Sequence, residues 1–125
     1  MIVSFSETYQ VLIVDRDPLA ASLHSTYVDA CEGFLACGTA TTCRQALTLA
    51  RLRAPDVVLL DLSLDGVPAL LRRLPPLPIV GITSVHEAPE AVALRRWVSS
   101  FLLKPFLLET FGERLEQCTQ ASLRR

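Results

Sequence analysis

The sequence predicts an α/β domain, a doubly wound parallel sheet of five strands, and three observations predict it. Five short apolar runs alternate with five longer segments that carry apolar residues at helical spacing. The runs are almost continuously apolar, as strands covered on both faces of a parallel sheet are. Four of them end on a polar group: Asp15, Asp61, Thr83 and Lys104 follow the first, third, fourth and fifth. Strands and helices in alternation make right-handed crossovers around one sheet.

The first strand is Val11-Leu12-Ile13-Val14. Asp17 suits an N-cap and Pro18 the first helical position, so a helix is expected from there to about Ala30. Leu19, Leu23, Tyr27 and Ala30 are its candidate apolar stripe. Phe34 to Gly38 reads as the second strand. Thr41 or Thr42 can cap a helix carrying Ala46, Leu49, Ala50 and Arg53, which must stop before Pro55. Val57-Val58-Leu59-Leu60 is the third strand, ending at Asp61. After the Asp65-Gly66 turn, Val67 to Leu74 leaves room for only a short third helix before Pro75-Pro76. Ile79 to Ile82 is the fourth strand, Glu87 to Val98 a helix, and Phe101 to Leu103 the fifth strand. The last helix carries Leu108, Phe111, Leu115 and Cys118 as an apolar stripe.

Composition narrows the classes. In 125 residues, 50% are hydrophobic and the net charge is −1, enough for one packed core and too apolar for disorder. The longest charge-free run, Leu74 to His86, is broken by Pro75, Pro76 and Pro78, so no membrane span is expected. Met1 to Gln10 lacks the pattern of a secretory signal. These features fit a cytoplasmic protein. Cys31, Cys37, Cys43 and Cys118 form no C-x-x-C pair, and neither His24 nor His86 stands at zinc-finger spacing from them. They read as small, mostly buried thiols.

In an open parallel sheet the working site lies beyond the carboxyl ends of the strands. Asp15, Asp61, Thr83 and Lys104 therefore converge on one edge. Two carboxylates there suit a hard cation such as Mg²⁺, and a hydroxyl and an ammonium suit phosphoryl oxygens. A carboxylate can itself be the nucleophile and form an aspartyl phosphate. Lys104 is the only lysine beside eleven arginines, and a compact ammonium fits a tight phosphoryl pocket better than a planar guanidinium.

The motifs V-L-I-V-D-x-D-P at 11–18, P-D-V-V-L-L-D-L at 55–62, Thr83-Ser84 and Lys104-Pro105-Phe106 resemble the receiver domain of bacterial two-component response regulators. The likeness covers about residues 9–118. L-H-S-T-Y-V at 23–28, G-T-A at 38–40 and F-G-E-R-L-E at 111–116 resemble its citrate/dicarboxylate-responsive branch. The resemblance implies a flavodoxin-like, CheY-like sheet of order 2-1-3-4-5, here with a shortened third helix. It implies one receiver domain over 1–125, with transcription control exerted through an output domain outside this chain, and DNA reached only through that domain.

Carried over by position, the resemblance implies that Asp61 accepts a phosphoryl group from a cognate histidine kinase. Asp15, Asp61 and the backbone carbonyl of Ser63 would hold Mg²⁺. Thr83 would hydrogen-bond the phosphoryl group and Lys104 would pair with its oxygens, the Lys104-Pro105 bond being cis. Phe101 stands at the switch-aromatic position beside Thr83, or is a core phenylalanine that never moves. Dimers would form through the face of the fourth helix, fifth strand and fifth helix. No enzyme activity is implied beyond self-catalysed phosphotransfer.

Arg16 departs from the pattern. The family has a second acid there, and a guanidinium has only donors and cannot ligate a metal. It can instead pair bidentately with Asp61 and impair phosphorylation, or point to solvent and leave Asp15 alone to hold the metal weakly. Asp17 either compensates as a ligand or simply caps the helix. Trp97 and Val98 replace a small pair before the fifth strand, making Trp97 an interface anchor or a filler of the space left by the short third helix. Two readings thus compete within the family: a receiver with impaired or atypical phosphorylation, and a phosphorylation-independent interaction module. A third is a flavodoxin-like cofactor binder, which would need a Gly/Ser/Thr-rich loop where Asp15-Arg16-Asp17-Pro18 stands. No G-x-x-x-x-G-K-[ST] stretch supports a nucleotide hydrolase.

Overall fold

The computed structural model describes residues 8–84 and 91–123. The order is β1 (Tyr9–Val14), α1 (Pro18–Ala30), β2 (Phe34–Ala40), α2 (Cys43–Arg53), β3 (Val57–Asp61), α3 (Val67–Arg73), β4 (Ile79–Ser84), a 3₁₀ turn (Arg95–Trp97), β5 (Ser100–Lys104) and α4 (Leu108–Leu123). All strands are parallel, in the order β2-β1-β3-β4-β5. This is the sheet the sequence predicts.

Successive residues of the central strands feed opposite faces. Val11, Ile13, Val57 and Leu59 pack with Ala21, Val28, Phe111 and Leu115 under α1 and α4. Leu12, Val14, Val58 and Leu60 pack with Ala46, Ala50, Leu70 and Leu71 under α2 and α3. Each face thereby takes one half of a continuously apolar strand, which is why the runs show no alternation.

The helix ends follow local chemistry. Asp17 Oδ1 accepts the Leu19 N–H at 3.0 Å, with Pro18 opening α1. Thr42 caps α2 by accepting the Gln45 N–H at 3.1 Å, while Gln45 Oε1 accepts from the Thr41 N–H at 2.9 Å. Ala54 ends α2 in the left-handed region (φ 45°), because Pro55 forbids another helical turn. Gly66 begins α3 at φ 88°, a conformation that suits glycine.

Several expectations need correction. The buried stripe of α1 is Ala21, His24 and Val28, whereas Leu19 is 81% and Leu23 50% exposed. Hydrophobicity alone favoured the leucines; the sheet surface instead accommodates the smaller residues and an imidazole. In α4, Phe111, Leu115 and Cys118 are buried but Leu108 is exposed, since the first turn overhangs the sheet. The helix expected over Glu87–Val98 lies outside the described residues at 87–90, as does His86. Its described part is helical only at Ala91–Val92 and then becomes a turn and the 3₁₀ segment. Cys118 alone is a buried thiol, pushed up to about 11 by burial; Cys31, Cys37 and Cys43 are half-buried, and all four are free.

Candidate functional site

Four strands deliver polar side chains to the carboxyl edge of the sheet. Asp15 follows β1, Asp61 ends β3, Thr83 lies near the end of β4, and Lys104 ends β5. Asp15, Asp61 and Thr83 are buried, at 1%, 3% and 5% exposure. Buried carboxylates need partners, and each finds them differently.

Asp15 is heavily engaged. Its Oδ1 accepts the Asp17 N–H at 2.9 Å, and its Oδ2 accepts from Lys104 Nζ at 3.5 Å. The same oxygen lies 3.8 Å from His24 Nδ1. Asp61 uses one oxygen only: Oδ1 accepts from Ser63 N–H at 2.9 Å and from Ser63 Oγ at 2.6 Å. Among the described residues Asp61 Oδ2 has no hydrogen-bond donor, so Ser63 holds one oxygen and not the other. Thr83 Oγ1 donates to the carbonyl of Ser84, at 3.4 Å. The Lys104-Pro105 bond is cis, as the resemblance implied.

Arg16 does not pair with Asp61. It is exposed on the rim of a shallow cleft with Thr41, Thr42, Cys43, Ser63, Leu64 and Asp65. Of the two expectations for Arg16, the lock on Asp61 is absent and the outward position is the one found: residue 16 follows the strand end and turns outward while Asp15 turns in. Asp17 is exposed and spends its Oδ1 on the α1 cap. Phe101 is half-buried among the residues under α2 and α3, and its carbonyl accepts from Arg114 Nε at 3.2 Å. Trp97 packs against the same cluster, with the Arg96 guanidinium 5.1 Å from its ring centre.

His24 was overlooked as a site residue in the sequence. It is buried among Tyr27, Phe106 and Phe111, with ring centres 6.3, 5.4 and 6.3 Å away. Its Nδ1 is the one buried side-chain polar atom without a hydrogen-bond partner among the described residues. Burial pushes its pKa below the ordinary value of 6.5, against the attraction of Asp15. The available signal was positional: 21, 24 and 28 form a helical stripe as regular as the one through the leucines.

These donors do not fit a tightly held Mg²⁺. A hard divalent cation is drawn to oxygens whose charge is uncompensated. Here Lys104 already pairs with Asp15, Asp17 is turned to its cap, and an arginine stands in place of the second acid. No cluster of three or more His, Cys, Asp or Glu suited to a metal occurs among the described residues.

Comparison with known proteins agrees with the fold. The family model "Response regulator receiver domain" matches residues 11–116. The transcriptional regulatory protein DcuR of Shigella flexneri is 34% identical over 114 residues, covering 84% of this chain and 48% of DcuR. The probable C4-dicarboxylate response regulator DctR of Bacillus subtilis is 26% identical over 119 residues, covering 90% of this chain and 53% of DctR. The chain thus spans about half the length of these curated relatives. Among solved structures, the REC domain of AraT from Geobacillus stearothermophilus superposes with a TM-score of 0.82 at 25% identity, covering 94% of this chain and 97% of that one.

Proposed function

This chain belongs to the response regulator receiver family, and from that premise we propose that, in the cytoplasm, it receives a phosphoryl group on Asp61 from a cognate histidine kinase, with little help from Mg²⁺. The observation that carries the reading is the asymmetry of Asp61, one oxygen held by Ser63 and the other without a donor among the described residues. Oδ2 attacks phosphorus, the P–N bond to the kinase histidine breaks with its electrons returning to the imidazole, and an acyl phosphate forms. Lys104 then exchanges Asp15 for the new phosphoryl oxygens, and Thr83 donates its hydroxyl to them. Movement of these two groups is the signal. Phe101 lies on β5, paired by register with Gly81 of β4, two residues before Thr83, so it is placed to follow.

The neutralised acid pair supports weak metal assistance. Two carboxylates beside one ammonium leave a net charge near −1, where the family pattern with a further acid would be about one unit more negative. Dimerisation through the β5–α4 side, and transcription control through a segment outside this chain, extend the same reading. No chemistry beyond phosphotransfer is assigned to the domain.

The test is intact-mass spectrometry after incubation with a small acyl phosphate, with and without Mg²⁺. Wild type is expected to gain a small phosphate adduct that Mg²⁺ barely increases, Asp61→Asn none, and Arg16→Asp a larger, Mg²⁺-dependent one. Equal Mg²⁺-dependent uptake by wild type and Arg16→Asp would overturn the metal argument. Absence of any adduct on wild type would make the domain an interaction module.

A further inference from the structure

Helices α2 and α3 carry five arginines, Arg44, Arg51, Arg53, Arg72 and Arg73, and no acidic residue. In a chain of net charge −1 this is a strong local excess. Between the two helices runs a groove of about 400 Å³, with Arg44, Arg51 and Arg73 on its lining beside Cys43, Leu47, Ala69 and Leu70. All three arginines are exposed, and none pairs with a carboxylate among the described residues.

Helix electrostatics accounts for two of the three. Arg51 and Arg73 lie in the last turns of α2 and α3, where the macrodipole favours cations. Arg44 is the second residue of α2, at the positive end, where a cation is disfavoured. Its placement costs helix stability and completes a basic rim around an apolar floor. Cys43 lines both this groove and the neighbouring cleft of Arg16, Ser63 and Leu64. Arg16, which does not pair with Asp61, is thereby a fourth cation, in the cleft next to the groove. Asp65, in that cleft, is the single acid on the two linings.

We infer that the α2–α3 groove docks an acidic amphipathic helix of a partner protein. Carboxylates on such a helix would take the guanidiniums, which bind them bidentately. Its apolar side chains would enter the floor formed by Leu47, Ala69 and Leu70, the usual arrangement for a helix in a groove. A nucleic acid is a poorer match. The lining has no aromatic side chain to stack on bases, and the apolar floor would meet only phosphate and sugar. Docking here needs no phosphoryl group, yet the groove neighbours the cleft of Ser63, which holds Asp61.

The test uses this whole chain and a fluorescent synthetic helix with leucines at heptad spacing and glutamates elsewhere. A lysine-for-glutamate counterpart and a short DNA duplex serve as rival probes. The acidic helix is expected to bind, more weakly as salt rises, and to shift backbone amide resonances within 43–51 and 66–73. The triple variant Arg44→Glu, Arg51→Glu, Arg73→Glu should weaken it about ten-fold or more, while Arg95→Glu with Arg96→Glu should not. Amide mapping on wild type answers the question even if the triple variant fails to fold. No binding, shifts outside the groove, equal loss in the two variants, or preference for DNA would each overturn the inference.

Discussion

The two faces of the sheet are built from different materials. Under α1 and α4, two long helices of 13 and 16 residues close over a cluster that includes Tyr27, Phe106, Phe111 and the His24 imidazole. Under α2 and α3, of 11 and 7 residues, the contacts are leucine, valine and alanine, supplemented by Leu94, Trp97 and Phe101 from beyond β4. The first face reaches the carboxyl edge through His24 and Phe106 and so bears on Asp15 and Lys104. The second leaves helix surface uncovered, and there the arginines gather. Length of helix decides this: a two-turn α3 cannot shield what a four-turn helix would.

The contrast is tested most severely by cutting one side chain on each face. Phe111 is fully buried, stacked on Phe106 (5.7 Å, 21°) and edge-on to Tyr27 (5.7 Å, 80°). Phe111→Ala should cost about 3–5 kcal/mol, since surrounding rings cannot collapse into the space. Leu70→Ala in α3 should cost about 2–3 kcal/mol, the lower part of the range, because a short helix beside an open groove can settle inward. Urea unfolding of the two variants measures both. A larger loss for Leu70→Ala would reverse the assignment of the better packed face.

A smaller effect is expected at Gly81 in the middle of β4. A Cβ there would lie 2.7 Å from Leu62 Cδ1 and 3.1 Å from Val98 Cγ1. Both neighbours belong to the aliphatic face, and Val98 stands where the resemblance implies a small residue. Gly81→Ala should therefore destabilise by about 1–2 kcal/mol, moderated because the end of the Leu62 side chain can rotate away. Pairing it with Val98→Ala should recover part of the loss, which a double-mutant cycle would read. Strict additivity would mean that Val98 does not define the space over β4.

What could be read from the sequence divides along similar lines. The strands were legible because their apolar runs are unbroken, and the caps at Asp17 and Thr42 because each hydrogen bond is local. The converging Asp15, Asp61, Thr83 and Lys104 were legible because a parallel sheet has one working edge. The stripe of α1 was not, since two equally spaced stripes share that helix and only the sheet surface selects the one with His24. Nor was the direction of Arg16: one residue past a strand end, charge alone does not tell whether the side chain turns inward. The arginine groove needed the packing of α2 on α3, which no single helix announces.

His24 provides the finest comparison between the faces, because the aromatic side alone carries a buried titratable group. Burial holds its folded-state pKa below the ordinary 6.5; Asp15 and, more weakly, Asp61 oppose that shift, and Lys104 reinforces it. In the window below about 6.5 the unfolded chain therefore binds more protons than the folded one. The stability associated with neutral His24 is fully present above that pH. It is lost as pH falls through 6.5 toward the lowered folded value. Urea midpoints at pH 7.5, 6.5 and 5.5 should decline for wild type relative to His24→Phe, which keeps the aromatic contacts but cannot titrate. A level difference would mean that desolvation and the attraction to Asp15 cancel; one that grows in favour of wild type at low pH would mean that the attraction wins. Asp15 would then be held by an imidazolium as well as by Lys104, and the ammonium would be the freer of the two to leave for a phosphoryl group.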